Sequence, residues 1–372
     1  MSFFAEHPST RWAVPAVAVA LIGATTFVTT RTASADAGLP PRTAAQLLAD
    51  VGQSQLQSLS GTVVQTADLG LPEIPALGGA SRGGGDTSLT SVVSGTHTWR
   101  VWFAGRTQQR LALVGSLGES DVIRNGKDLW VWSSQKKTAE HHTLPADDQK
   151  DAKTPDTATG LPKTPQEAAD RALAAMSPTT QVTTSGAAVV AGRQAYELVL
   201  KPKDTTTRIA SVRIAVDSQK HVPLRVQVYS TKIANPAFEV GFTSIDFAKP
   251  EARQFAFNPP AGTKVTESGT LAAPKPGATN LSPATRAAVK PKVVGTGWSS
   301  VVVATLPAGA QAAADQPGEL AGILRAVPRA SGAWGSGHVV DGTLFSAVLT
   351  DDGRVAVGAV APDQLYAALA AK

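Results

Sequence analysis

The sequence predicts an α+β chain: a curved antiparallel sheet with helices over its apolar side, followed by a small αβ-patterned unit. Three observations predict it. Strand-like segments with apolar/polar alternation recur from GTVVQTA (61–67) to AFEVGFTSIDFA (237–248), and again after residue 293. Two helix starts carry capping signals, one ahead of the first strands and one midway. Glycine (33) and proline (25) are too plentiful in 372 residues for a chain of long helices, while 42% apolar residues suffice for a core.

The first segment, 1–35, stands apart from that fold. Arg11 precedes an apolar run from Trp12 to about Val28, and Ala33-Ser34-Ala35 supplies a small-x-small site. This is the layout of an export signal cut after Ala35, or of an uncleaved anchor near the lower length limit for spanning. Either places 36–372 outside the cytoplasm. Cysteine is absent, so burial alone must hold an exported domain together, and neither thiolate chemistry nor a lipidation cysteine is available. The net charge of +5 is scattered, with no basic block interleaved with aromatics. That argues against nucleic acid and leaves a mild attraction to an anionic membrane surface.

Thr43-Ala44-Ala45-Gln46 is a capping-box pattern, and Leu47, Leu48 and Val51 then form an apolar stripe, so a helix is expected to about Ser58. Residues 69–88 read as a long Gly/Pro loop. Strands follow, with Asn125-Gly126 marking a hairpin. In THTWRVWFA, Trp99, Val101 and Phe103 share one face. Beyond the hairpin, Leu129 and Val131 alternate with Trp130 and Trp132. A polar linker spans 147–163. Thr164-Pro165-Gln166-Glu167 then opens a second helix to about Met176, with a small apolar side of Ala169, Ala172, Leu173 and Met176.

The next strands build one wall: Tyr196/Leu198/Leu200, Val212/Ile214/Val216, Leu224/Val226/Val228 and Phe238/Val240/Phe242. Glu197, Arg213, Asp217, Arg225, Gln227 and Glu239 fall on the other side, which is expected to be wet. FAFNPPAGTKV (255–265) is read as a fifth strand of this meander. Phe255 and Phe257 would share a face, and Pro259-Pro260 would end its pairing. The organisation is therefore 1–35 signal or anchor, 36–268 main domain, 269–292 low-complexity linker, and 293–372 a terminal unit. Within that unit a helix is expected around GELAGILRAV, a hairpin turn at Asp351-Asp352-Gly353, and a closing helix in PDQLYAALAA. Such a sheet either fills its hollow with its own helices or leaves room for an apolar ligand.

No motif carries catalysis. Gly79-Ala80-Ser81-Arg82-Gly83 matches a nucleophile elbow but lacks the strand before it and the helix after it. Glu140-His141-His142 puts adjacent strand residues on opposite faces, so the two imidazoles do not share a metal ion. Asp351-Asp352-Gly353 lacks the further acidic ligands of a calcium loop. Trp298 and Trp334 beside glycines are candidate ligand platforms or core residues. No cofactor or metal is expected, and the chain reads as a non-enzyme.

FAFNPPAGTKV closely resembles an F-x-F-x-P-P-x-G-x-x-V pattern of the LolA-like superfamily, through Phe255, Phe257, Pro259, Pro260, Gly262 and Val265. The first helix followed by SLSGTVVQT, with Val63 and Gln65, and the IRNGKDLWVW hairpin are similar to that family's opening, in the same order over about 43–266. The resemblance implies an unclosed antiparallel β-barrel whose helices lid a hydrophobic cavity. Its apolar lining would be Trp99, Val101, Phe103, Leu129, Val131, Tyr196, Leu198, Val212, Ile214, Leu224, Val226, Phe238, Phe242, Phe255 and Phe257. It also implies a cavity arginine, for which Arg100, Arg106 and Arg110 are candidates. The implied partner is an acylated lipid or lipoprotein or, as in the RseB-like branch, a membrane-anchored anti-sigma factor or other envelope protein. The loop at 69–88 and the last 80 residues depart from the short carrier.

Overall fold

A computed structural model describes residues 39–71, 94–116, 118–144, 165–270, 291–306 and 327–371. The signal or anchor segment, the G-x-S-x-G stretch, the polar linker at 147–163, most of the 269–292 linker and the GELAGILRAV segment lie outside the described residues. Two sheets make up the fold. The larger has twelve strands in the order β12-β6-β5-β4-β3-β2-β1-β11-β10-β9-β8-β7, and the smaller has six, β13-β14-β18-β17-β16-β15. The large sheet is curved and unclosed, with helices on its apolar face.

Helix α1 (Ala44–Gln53) forms as its cap foretells. The Thr43 hydroxyl accepts from the Gln46 amide, and the Gln46 side chain accepts from the Thr43 amide. It stops at Gln53, short of Ser58, which frees Leu56 to pack into the main core cluster. Strand β1 (Leu59–Ala67) then enters the middle of the sheet, between β2 (Gly95–Phe103) and β11 (Pro236–Asp246). From β2 the chain runs outward through β3 (Gln108–Gly115), β4 (Gly118–Asn125), β5 (Asp128–Ser133) and β6 (Thr138–Thr143). Asn125 pairs with Asp128, so the turn residues of the β4–β5 hairpin are Gly126 and Lys127, with Gly126 at φ +66°.

Helix α2 (Pro165–Met176) opens on its proline and packs against α1. It leads to β7 (Thr180–Val190), a strand hidden from the sequence by its Ser-Gly-Ala-Ala centre. The meander then continues through β8 (Arg193–Pro202), β9 (Ile209–Asp217), β10 (Pro223–Ser230) and β11, which returns to β1. So β7, not the stretch at 255–257, is the fifth strand. Residues Ala252–Gln254 form a 3₁₀ turn, Phe255 closes it, and the strand begins only after the prolines, at β12 (Lys264–Thr270). β12 pairs parallel with β6 at the sheet's far edge.

The second sheet comprises β13 (Lys292–Val294), β14 (Val301–Thr305), β15 (Arg329–Gly332), β16 (Gly335–Asp341), β17 (Ser346–Thr350) and β18 (Arg354–Gly358), with α3 (Pro362–Ala370) across one face. Asp351-Asp352-Gly353 makes the expected β17–β18 turn, with Gly353 at φ +82°. The core of this unit gathers Val301, Trp334, Val348, Ala356, Val360 and Leu365, and Trp334 stacks on Tyr366 at 4.9 Å. Trp334 is thus a core residue. Trp298 instead reaches the large sheet, its indole N–H donating to the Thr180 hydroxyl at 2.7 Å.

Candidate functional site

Cross-strand register decides which side chains share a face. One continuous row runs Phe242, Val63, Trp99, Leu113 and Ser120, across β11, β1, β2, β3 and β4. On one side of it a second row runs Gln65, Val240, Val226, Ile214 and Leu198, and a third Ala67, Phe238, Val228, Val212 and Leu200. On the other side lie Val101, Leu111, Val122 and Val131 in one row, with Phe103 and Leu129 beyond. This inner face is the helix-covered one: the hydroxyl of Tyr196, on the same wall, donates to the Pro40 carbonyl just ahead of α1 at 3.0 Å.

The wall is not evenly covered. Val63, Trp99, Leu113, Leu198, Leu224, Val240 and Phe242 are at most 5% exposed, which closes its centre. Leu200, Val212, Ile214, Val226, Val228 and Phe238 are only half-buried and form one contiguous apolar patch over β8–β11. Val101, Phe103, Leu111, Val122, Leu129 and Val131 form a second half-buried patch over β2–β5. The structure therefore brings the expected strand residues of the wall together on one face.

Phe255 and Phe257 sit differently from the expectation. Phe255 is 1% exposed beside its 3₁₀ turn rather than on a strand. The Phe257 ring lies 5.2 Å from Trp130 and 5.7 Å from Trp132. Those tryptophans face away from Leu129 and Val131, so Phe257 covers the outer face of β5. The cause is the 3₁₀ turn, which breaks the strand alternation on which the shared face depended.

The outer face is charged but not simply wet. Glu197 (8% exposed), Gln227 (9%) and Asp217 (0%) are buried there. Glu197 accepts from the Ser185 hydroxyl at 2.8 Å and lies 3.7 Å from Arg225; Gln227 donates to Glu239 at 2.8 Å. Asp217 pairs with Arg193 and caps the following turn through the Gln219 and Lys220 amides. Burial of these groups is tolerable because each has a partner. Further along, Arg100 and Arg110 lie 5.4 and 5.1 Å from the Trp102 ring, and Arg110 donates to Asp121 at 2.6 Å. Burial pushes the Asp121 carboxyl up to about 6, with Arg110 pulling the other way.

None of the three arginine candidates lies on the inner wall, since Arg100 and Arg110 are on the outer face and Arg106 is exposed in the β2–β3 turn. The inner-face arginine is Arg124, which shares a row with Leu129 and donates to the Gly126 carbonyl at 3.2 Å. Its alternation with Val122 was the readable signal.

His141 stacks on Trp130 (4.2 Å, 16°) and sits between two carboxylates, 2.7 Å from Glu267 and 3.0 Å from Asp128. His142 faces the inner side, 3.6 Å from Glu140. Among the described residues no group of three or more His, Cys, Asp or Glu is placed to hold a metal, and no helix is long and apolar enough to cross a membrane. The cavities of the described surface include two of note. One, of about 310 Å³, is lined by Ser54, Leu56, Ser58, Lys220, His221 and Phe247 among others. The other, of about 260 Å³ on the outer face, is lined by Ser60, Thr62, Arg100, Trp102, Ser244 and Asp246 among others. Neither is lined by any of the half-buried wall residues named above, though the second includes Gly61 and Ile245, which stand in register with Val101.

No family model and no curated protein matches the chain. Solved structures do match. A chain of the Pseudomonas aeruginosa MucA/MucB complex is 16% identical at a TM-score of 0.42, covering 88% of this chain and 96% of that one. A LolA-superfamily protein from Nitrosomonas europaea is 11% identical at a TM-score of 0.22, covering 58% and 99%. A putative outer membrane lipoprotein-sorting protein domain from Vibrio parahaemolyticus is 9% identical at 0.21, covering 57% and 97%.

Proposed function

We propose that this chain is an extracytoplasmic binding protein that holds the acyl chains of a lipid or lipidated protein against the inner face of its open barrel. The observation that carries the reading is the half-buried patch of Leu200, Val212, Ile214, Val226, Val228 and Phe238. An apolar surface of this kind, flanking a closed central row and left half-covered by its own helices, gains by accepting hydrocarbon. Each methylene it removes from water contributes about 0.8 kcal/mol. The reading needs no catalytic group and no cofactor.

The test is native mass spectrometry of the protein purified from its own membrane fraction, with titration of a fluorescent acyl probe. Co-purifying lipid, and a Val226→Asp variant that folds but no longer takes the probe, is the expected result. Protein that carries no lipid and ignores the probe removes the reading.

A second reading, a regulator docking a membrane-anchored protein, is favoured by a different observation. Val293, Val302 and Val357 pair across β13, β14 and β18 and are 60%, 43% and 38% exposed, on the second sheet. Recovery of an envelope protein by the wild type but not by Val302→Asp selects this reading; recovery of lipid alone selects the first.

A further inference from the structure

The centre of the inner wall is polar in a way that neither packing nor the acyl reading requires. Trp99 is 2% exposed, sits between Val63 and Leu113, and its indole N–H has no hydrogen-bond partner. A buried indole N–H ordinarily finds an acceptor, and leaving one unmet is unfavourable. A phenylalanine would fill the same row without that penalty. The unmet group is a donor only, so what it lacks is an acceptor.

We propose that Trp99 is the specificity-determining residue of the inner wall, donating its indole N–H to the neutral carbonyl of an ester or amide that links the ligand's acyl chains to its head. This rests on the acyl-binding reading. Trp99 lies between the two half-buried patches, with Val101 and Leu111 of one beside it and Val226 and Phe238 in the other, so a linkage that reaches its N–H must part the side chains that close the central row.

A neutral carbonyl is preferred to the carboxylate of a free fatty acid by the surrounding charge. Arg100 and Arg110, on the same strands, present their guanidiniums to Trp102 on the outer face. The inner-face positions next to Trp99 on β1, β2 and β3 carry no lysine or arginine, and the imidazole among them, His97, is engaged at Nε2 by the Ser94 carbonyl at 2.9 Å. A carboxylate there would be buried without a fixed cation, which is far more costly than a buried ester.

The experiment compares a diacyl phosphatidylcholine with its diether analogue, identical except for the two carbonyls, on wild type and Trp99→Phe. The wild type is expected to bind the diester about three- to tenfold more tightly, with Trp99→Phe reducing diester affinity to the diether level. In the wild type, one indole N–H proton resonance should move downfield with diester and stay in place with diether, which tests the contact even if Trp99→Phe fails to fold. Equal binding of both lipids by the wild type overturns this inference while the acyl reading stands. A diester preference that survives in Trp99→Phe also overturns it. Binding of neither lipid removes both.

Discussion

On the outer face, Asp121 and His141 hold protons that the unfolded chain would release. Asp121 is pushed from 3.8 up to about 6 by burial, against the pull of Arg110. Burial alone would lower the His141 imidazole, but hydrogen bonds to Asp128 and Glu267 hold it above its ordinary 6.5. In both cases the folded chain keeps a proton at a pH where the unfolded chain has lost it. The His141 contribution is fully present below 6.5 and is lost as pH rises through the folded value. The Asp121 contribution grows as pH falls from about 6 towards 4 and is lost as pH rises through 6, amounting to about 3 kcal/mol at most. Asp217 opposes them: though buried, it is held below its ordinary value by Arg193 and two backbone amides, so its support fades as pH falls through that lowered value. The expected outcome is therefore read by difference. Wild-type stability minus that of Asp121→Asn should rise on acidification from pH 7 to 5 in chemical denaturation, and His141→Gln should flatten the profile above pH 6.5. A difference that stays constant with pH would show that neither group titrates as described. His141 was legible as a residue facing away from His142; its carboxylate neighbours were not, because Glu267 arrives on a strand far along the chain.

Between β1 and β11 the register shifts at Thr62/Val63, and Gly61 lies beside that irregularity. A Cβ on Gly61 would stand 2.4 Å from the Ser244 carbonyl oxygen and 3.0 Å from the Phe242 ring. Gly61→Ala must push the central pairing of the large sheet apart, and should cost about 1–3 kcal/mol in chemical denaturation. Gly52, exposed in the last turn of α1 with nothing within 4 Å of its Cβ position, should show the opposite sign. Gly52→Ala is expected to stabilise by about 0.5–1 kcal/mol through helix propensity. At this scale, strands with full alternation were legible, and so was the α1 cap. β7 was not, since Ser-Gly-Ala-Ala has little to pack. The stretch 255–265 misled because its two phenylalanines have strand spacing although the chain enters them from a 3₁₀ turn. The actual strand, β12, is recognisable only through its parallel partner β6, and pairing at that sequence distance leaves no local pattern.

The two sheets are held together through polar contacts rather than a shared core. Thr207 and Val360 form an isolated bridge, the Arg208 amide donates to the Ala359 carbonyl at 2.7 Å, and the Arg208 Nε donates to the Val360 carbonyl at 3.1 Å. The same guanidinium pairs with Asp341, which Lys232 also reaches at 3.1 Å. Ser230 donates to the Thr343 carbonyl at 2.6 Å, and the Thr343 amide to the Leu69 carbonyl at 2.7 Å. The linker expected at 269–292 lies mostly outside the described residues, and nothing in local pattern says that a β8–β9 loop arginine and a β10–β11 loop lysine meet one aspartate. Arg208 is 8% exposed, so its loss cannot be made good by water at every partner. In Arg208→Ala, Asp341 keeps Lys232 and the Val360 carbonyl keeps the Ser346 hydroxyl at 2.8 Å, so the joint loses the Arg208–Asp341 pair and one charge-assisted hydrogen bond, about 2 kcal/mol. The second sheet has its own core around Trp334, Val348 and Leu365, so it should then open as a separate unit. Native-state hydrogen exchange is expected to show the amides of β16–β18 exchanging at lower denaturant than those of β1 and β11, where in the wild type the two groups exchange together. Joint exchange in the variant would mean that the joint is carried by the remaining contacts, with the Trp298–Thr180 bond the next to remove.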